Sequence, residues 1–282
     1  MANNTTLNSE LFTNLLAEAQ FAAYENSIAR QIVTAFTFPN NAGKVLQVPI
    51  YGSAVAVDLT EGVAPSAADT NTTSATITLG EIGHLFQVTD FLRDSAQRDV
   101  ISDLGFNAGR AMAEKMDEGV FSLFNSFTQS VGAEDAEITV TNIFEAVAKL
   151  RQAKVTGPLV AIVDPMQALS LKKELALVGG ANLTASMIGN DVLAGYYIGS
   201  LAGCAIYEST LVKSDLDTDA DTELNAVGAV FARTAIGHAI RGDIRMEDER
   251  FAAKRSTDVM VSAVVGQTIL QNTHGVKIVG AV

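Results

Sequence analysis

Leu46-Gln-Val-Pro-Ile-Tyr51, Ala75-Thr-Ile-Thr-Leu79 and Phe86-Gln-Val88 decide the fold. In each stretch apolar side chains alternate with polar ones, and a period of two marks a strand with one buried face. Val55, Val57 and Leu59 continue the period in the other phase. Residues 45–88 therefore read as a β-arm of two alternating segments. Between them Asp58 to Ser74 is soft, with Gly62, Pro65 and many small or hydroxyl residues that favour turns. A tip of that length exceeds the usual hairpin loop of about two to five residues. Pro49 lacks an N–H donor, which puts the first strand at an edge. The plain alternative is a hairpin in an ordinary sandwich. An arm this long has no core of its own to cover both faces, so it must lie on something else, and a second copy of the chain is the simplest candidate.

Immediately after the arm, residues 100–128 read as one helix of about seven turns. Asp99 or Ser102 is placed to cap it. Leu104, Ala108, Met112, Met116, Val120, Leu123 and Phe127 recur every third or fourth residue and form an apolar stripe. Arg110, Glu114, Asp117 and Glu118 fall largely off that stripe. Gly105, Gly109 and Gly119 weaken the helix by about 1 kcal/mol each relative to alanine, and permit close approach of another backbone. Met112 and Met116 read as core fillers rather than a ligand groove.

Composition narrows the function. The chain has 282 residues, 48% of them hydrophobic and only 18% charged. A sizeable core is available, and much of the surface must be weakly polar or covered by other subunits. The formal net charge of −13 argues against a dedicated nucleic-acid binder. It is compatible with a wall that merely surrounds nucleic acid. Cys204 is the single cysteine, which excludes an intramolecular disulfide and suits a reducing compartment. It lies among Gly203, Ala205 and Ile206 and reads as a packed thiol. No basic leader and no apolar run of membrane-spanning length is visible, so neither secretion nor a membrane partner is expected.

The rest of the chain reads as mixed α+β without repeats or a separating linker. Residues 9–35 look helical, capped by Ser9, with Leu11, Leu15, Leu16, Ala19, Ala22 and Ala23 in a stripe; the pattern breaks at Pro39. A second region begins near Thr139. Asn142 with Glu145 resembles a capping box for a helix running to about Ala153. Leu159 to Val163 suits a central strand. Asp164 and Pro165 then cap and open another helix, which Gly179-Gly180 stops. Tyr196 to Tyr207 reads as two short strands and Asp215–Asn225 as a solvated loop. Val227 to Phe231, Ala235 to Ile240 and Asp258 to Val282 read as strands.

No recognisable motif carries a complete set of catalytic or metal-binding residues. His84, His238 and His274 are separated from one another and from Cys204, without zinc-ligand spacing. Neither a phosphate loop nor a nucleophile elbow occurs. Asp215, Asp217 and Asp219 have the one-three-five spacing of a calcium loop. Ala220 stands where the sharp turn wants glycine and Ala226 where a bidentate glutamate is needed, so an acidic turn is the preferred reading. No catalytic, cofactor or metal residues are assigned. Arg241, Asp243, Arg245, Glu247, Asp248, Glu249 and Arg250 alternate in sign and read as a seam of surface or intersubunit salt bridges. Intersubunit contacts are therefore expected at Glu61, Gly62, Val63 and Pro65 of the arm tip and at Arg241, Asp243, Arg245 and Glu247 of the seam.

The order of these elements resembles the major capsid protein of tailed bacteriophages, the Hong Kong 97-type fold. Ala235-Ile-Gly-His-Ala-Ile-Arg-Gly-Asp243, Asp258-Val-Met-Val-Ser-Ala-Val-Val265 and Gly275-Val-Lys-Ile-Val279 are similar to the family's closing strands. The resemblance covers almost the whole chain and rests on element order and texture. It implies an α+β capsid fold in five parts: an N-terminal arm (1–44), an extended β-hairpin loop or E-loop (45–88), a peripheral domain with the spine helix (89–139), an axial domain (140–240), and return strands of the peripheral domain (241–282). It further implies self-assembly through pentamers and hexamers into an icosahedral virion shell around double-stranded DNA, in the host cytoplasm, with separate scaffold and portal proteins. Some relatives cross-link an E-loop lysine to a neighbour's asparagine. Residues 52–80 contain no lysine, and Lys44 sits only at the arm's base, so no covalent mesh is expected. Because the arm is reached within forty residues of Met1, a cleaved internal scaffold is not expected either. An encapsulin-type nanocompartment is the alternative on the same fold, and a metal-dependent hydrolase using the acidic loop is the alternative from another class.

Overall fold

A computed structural model of the protein describes residues 19–20, 27–39, 43–52, 56, 58, 61–62, 72–95, 100–177, 197–212 and 224–282. Among the described residues there are twelve strands, β1 to β12 in chain order, in three sheets.

The first sheet has four strands in the order β1-β10-β11-β4: Thr34–Phe38, Ile236–Phe251, Ser256–Ile269 and Gly80–Thr89. Alternation along β11 decides its two faces. Val261, Ala263 and Val265 point inward and pack with Ile240, Ile244 and the long helix through Ala108, Met112 and Met116. The long helix spans Val100–Phe121. It is shorter than the stripe in the sequence suggests. Phe121, Phe124 and Phe127 are spaced by three, and a 3-10 turn over Phe124–Ser126 brings such residues onto one side. Phe124 then packs 5.4 Å from Phe121 and 5.5 Å from Phe231, centroid to centroid.

The second sheet has six strands in the order β5-β12-β9-β6-β8-β7, namely Gln129–Gly132, Gly275–Ala281, Asn225–Ala232, Leu159–Val163, Cys204–Glu208 and Tyr197–Leu201. Leu159–Val163 is central, as its unbroken apolar run suggests. Leu159, Ala161 and Val163 face one core with the helices Val140–Gln152 and Pro165–Leu177. Val160 and Ile162 face the other, with Phe121, Phe124 and Phe127 at the end of the long helix. Asp164 caps the second of these helices, its Oδ1 accepting from the Met166 N–H at 2.8 Å. The cap of the first is Thr139, not Asn142: the Asn142 N–H donates to Thr139 Oγ1 at 3.3 Å. Asn142 lies at the third helical position, where its own side chain accepts from the Thr139 hydroxyl at 2.8 Å. The expected loop Asp215–Asn225 ends in a buried strand residue, because Asn225 Oδ1 accepts from the Asp135 N–H at 2.9 Å. Residues 178–196, including the expected stop at Gly179-Gly180, and residues 213–223, including the acidic loop, lie outside the described residues.

Two antiparallel strands pass from one sheet to the other at the same place. β9 continues into β10 through a 3-10 turn at Arg233–Ala235, and β11 into β12 through another at Asn272–His274. The turns are bonded together: the Leu270 N–H donates to the Ala235 carbonyl at 2.7 Å, and Thr234 Oγ1 lies 2.7 Å from His274 Nδ1. Sheet membership therefore cuts across the boundaries drawn at 140 and 241. β5 and β12 belong to the six-stranded sheet.

The N-terminal helix does not extend to residue 35. Helical turns are present at Ala19–Gln20 and Ala29–Ile32, and Thr34–Phe38 is already strand, paired in parallel with β10. The rest of the expected stripe, from Leu11 to Ala23 apart from Ala19, lies outside the described residues. What fixes this segment is Asp117. Placed off the apolar stripe by its spacing, Asp117 is nevertheless buried. Its carboxylate accepts from Ser27 Oγ at 2.7 Å, from the Ile28 N–H at 2.9 Å and from the Ala29 N–H at 3.2 Å. Ile28 supplies no side-chain cap to its own helix. The long helix thus lends it one.

Candidate assembly surfaces

The arm is a two-stranded sheet, β2 (Val45–Tyr51) against β3 (Thr72–Thr78), in the register Leu46↔Ile77, Val48↔Ala75 and Ile50↔Thr73. β2 is an edge, as Pro49 requires. The expected arm is longer than the observed one. Residues 80–88, read as the continuation of its second segment, fall in β4, which pairs with β11 from Gly80↔Val265 to Thr89↔Ser256. Alternation shows a half-buried strand but not its partner, and here the partner lies far along the chain.

The arm's base is seated on its own subunit. Leu46, Val48, Ile77 and Leu79 pack with Phe36, Phe38, Ala239 and Val264 on the face of the four-stranded sheet opposite the long helix. Gly266 makes this seat possible. A Cβ there would lie 2.5 Å from the Thr78 carbonyl and 3.0 Å from Ile77 Cγ2. Gly266→Val should therefore lift the arm from the sheet. The obstacle is backbone, so a cost of about 3 kcal/mol, the upper end for overpacking, is expected. Denaturant unfolding of the isolated subunit checks this, and a wild-type midpoint would show that the base is not so tightly seated.

Beyond the base, the described residues of the arm from Tyr51 to Gly62 are exposed. Asp58, Glu61 and Gly62 are exposed, and Gly62 has a φ of 80° that suits the turn it occupies. Tyr51 is 73% exposed. Val63 and Pro65 lie outside the described residues.

β10 brings the seam residues Arg241, Arg245 and Glu247 onto one face. Their cross-strand partners Val264, Ser262 and Met260 alternate along β11, and a bulge between Arg241 and Arg245 turns Ile244 to the opposite face. Arg245 and Glu247 are exposed and make no ion pair among the described residues. Asp243 is exposed and engaged with a neighbour. Arg241 lies over the Phe38 ring at 5.1 Å, with Nε and Nη2 buried and without an acceptor. The seam is thus not a ladder of paired charges. Arg250 does pair: its two terminal nitrogens bond both Asp90 oxygens at 2.8 and 2.7 Å, which raises its pKa.

The titratable groups considered for chemistry are scattered. Burial pushes the Cys204 thiol up to about 12, which makes it a poor nucleophile at neutral pH. His238 is pushed down to about 4 by burial and by the Arg30 charge. His274 is lowered by burial, and His84 stacks on Phe86. Among the described residues no three His, Cys, Asp or Glu side chains are grouped to hold a metal, and no helix is long and apolar enough to cross a membrane. The buried Asp117 was missed by spacing alone. Its partners lie about ninety residues away in the chain, beyond the reach of helical periodicity.

The architecture is that of phage shell subunits. The head structure of Helicobacter pylori bacteriophage KHP40 is similar over 91% of this chain and 91% of that one, with a TM-score of 0.71 at 15% identity. The capsid of cyanophage P-SCSP1u matches over 88% and 86%, with a TM-score of 0.66 at 17% identity. The capsid of the native GTA particle matches over 94% and 91%, with a TM-score of 0.65 at 15% identity. No curated protein matches by sequence. A family model described as phage capsid protein matches residues 71–266, most of the chain. The chain belongs to the phage capsid protein family.

Proposed function

We propose that this chain is the major capsid protein of a phage head, of the Hong Kong 97 type, and that it self-assembles through pentamers and hexamers into an icosahedral shell enclosing double-stranded DNA. The observation that carries this reading is the arm. Its base is packed on its own subunit, the described tip residues Asp58, Glu61 and Gly62 are exposed, and a two-stranded sheet needs a further layer for stability. In this reading residues 45–78 are the E-loop. The four-stranded sheet and long helix form the peripheral domain, and the six-stranded sheet with its two helices forms the axial domain. The tip, from Glu61 to Pro65, and the β10 face bearing Arg241, Asp243, Arg245 and Glu247 are contacts between copies. Scaffold and portal are separate proteins, and the subunit's place is the virion after assembly in the host cytoplasm. The role is structural rather than enzymatic. The family match supports a phage head over an encapsulin-type compartment.

Removing Glu61 to Asn71 spares both strands of the arm and should leave the subunit folded. Shells should then fail to form or fall apart at lower denaturant than wild type, as seen by negative stain and sedimentation. Shells of unchanged yield and stability would remove the arm from the interface.

A further inference from the structure

Arg241 stands in the seat of the arm without a bond to hold it there. It follows Ala239 by two residues in β10, so both face the arm, and its neighbours across the sheet are Phe38 of β1 and Val264 of β11. Phe38, Ala239 and Val264 all pack with the arm residues Leu46, Val48, Ile77 and Leu79. The guanidinium lies over the Phe38 ring at 5.1 Å. Its Nε and Nη2 are buried and, among the described residues, have no acceptor. These two nitrogens make one edge of the guanidinium, the fork that a carboxylate ordinarily fills. The acid in the same row of the sheet, Glu81, is exposed and lies two strands away beyond Val264, roughly 10 Å by strand spacing.

Magnitudes decide what this arrangement does. A buried donor left unsatisfied costs a factor of roughly five to a hundred in an equilibrium, and the fork has two. The ring contact offsets a factor of roughly two to thirty. The balance runs against the covered guanidinium, and water relieves it only where the cover opens. The strand that carries Arg241 cannot open, because it is paired on both sides in continuous ladders. The arm can. Among the described residues β2 and β3 pair only with each other, so apolar side chains and no ladder hold the arm to the sheet. Gly266 lets the arm sit close, and Arg241 makes that close seat costly.

We propose that Arg241 is a built-in release for the arm. Seating the arm strips water from the guanidinium fork and supplies no acceptor in its place, so the seat is held below its full strength and the arm opens readily. The device works inside one subunit. It goes beyond the shell-forming reading and does not depend on it.

Hydrogen exchange of dissociated full-length subunits reads the opening. A two-stranded sheet is marginal on its own, so the amides joining β2 to β3 exchange once the arm leaves its seat. Arg241→Met keeps a long side chain against the Phe38 ring and removes the fork. The arm amides should then exchange about tenfold more slowly than in wild type, while those of β6 in the other sheet keep their rates. Arg241→Lys, whose ammonium can reach solvent, should also slow the arm, and it takes the place of the methionine variant if that one fails to fold. In a Gly266→Val background, where the arm is already lifted, Arg241→Met should make no difference. Unchanged or faster arm exchange in the position-241 variants would overturn the proposal, because the ring contact would then outweigh the missing bonds. A tenfold gain that survives Gly266→Val would overturn it too, because something other than the arm would then cover the fork. Slower arm exchange in subunits that never form particles would support the device and remove the shell-forming reading alone.

Discussion

Met116→Asp should yield an insoluble subunit, while Glu114→Gln two residues earlier should assemble normally. Met116 is 4% exposed and packs among Met112, Ile240, Ile244 and Val261. Removing it forfeits about 2 kcal/mol of apolar burial. The new carboxylate has no cationic partner in that layer, so it must either bind a proton or push the helix off the sheet. The whole stability of a domain is about 5–15 kcal/mol, and this layer joins the helix to the sheet. Glu114 by contrast is exposed and pairs with Arg110 along the helix at 3.2 Å, a contact of about 0.3–0.5 kcal/mol. Soluble expression and particle yield of the two variants measure the difference. A soluble, assembling Met116→Asp protein would mean that the stripe faces elsewhere.

Asp117→Ala should be more damaging at pH 5 than at pH 7.5. The change leaves Ser27 Oγ and the Ile28 and Ala29 N–H groups without their acceptor, at about 1–3 kcal/mol for each buried group left unsatisfied. The pH dependence comes from the carboxyl itself. Burial pushes it up to about 6 from an ordinary value of 3.8, against the opposing pull of its three hydrogen bonds. The folded state therefore holds the proton more tightly than the unfolded chain. Stability linked to this group is greatest at low pH and declines as pH rises from 4 through 6. Between pH 5 and pH 7.5 wild type should lose on the order of 1 kcal/mol that the alanine variant, lacking the group, does not. Other titrating groups cancel in the difference between the two proteins. Urea unfolding of both at the two pH values is the measurement, and a gap that is constant or widens towards pH 7.5 would mean that the carboxyl is not held protonated by burial.

The elements legible in the sequence are those whose pattern is local. Leu159–Val163 is apolar at every residue because both of its faces are covered. Ala108, Met112, Met116 and Val120 share one helix face because their spacing follows the turn. Pro49 marks an edge because it cannot donate. Three features were not legible, and two of them depend on a distant residue. Phe86 and Val88 alternate like the arm strands, yet their partners Val259 and Thr257 are supplied from far along the chain. Asp117 looks solvent-facing until Ser27–Ala29 is laid against it. The cap was misplaced by three residues because Thr139 and Asn142 both carry capping chemistry, and only the approach of the chain chooses between them. The expected contacts at Glu61 and Gly62 fall on exposed arm, and those at Arg241, Arg245 and Glu247 share a strand face. Alternating signs do not reveal that Arg241 lies against Phe38 instead of a carboxylate.

The paired passage of β9 into β10 and of β11 into β12 has a mechanical consequence. Any outward pressure on a wall built from this subunit tends to draw its two sheets apart. The pull would run along two covalent backbones side by side, like the strands of a cable, and not across a row of side-chain contacts. The ladder bonds between those backbones lie across the pull, so they would have to slide together and could not open one after another. With the Thr234–His274 and Leu270–Ala235 bonds binding the cable at its midpoint, the joint between the sheets can bend more readily than it can stretch.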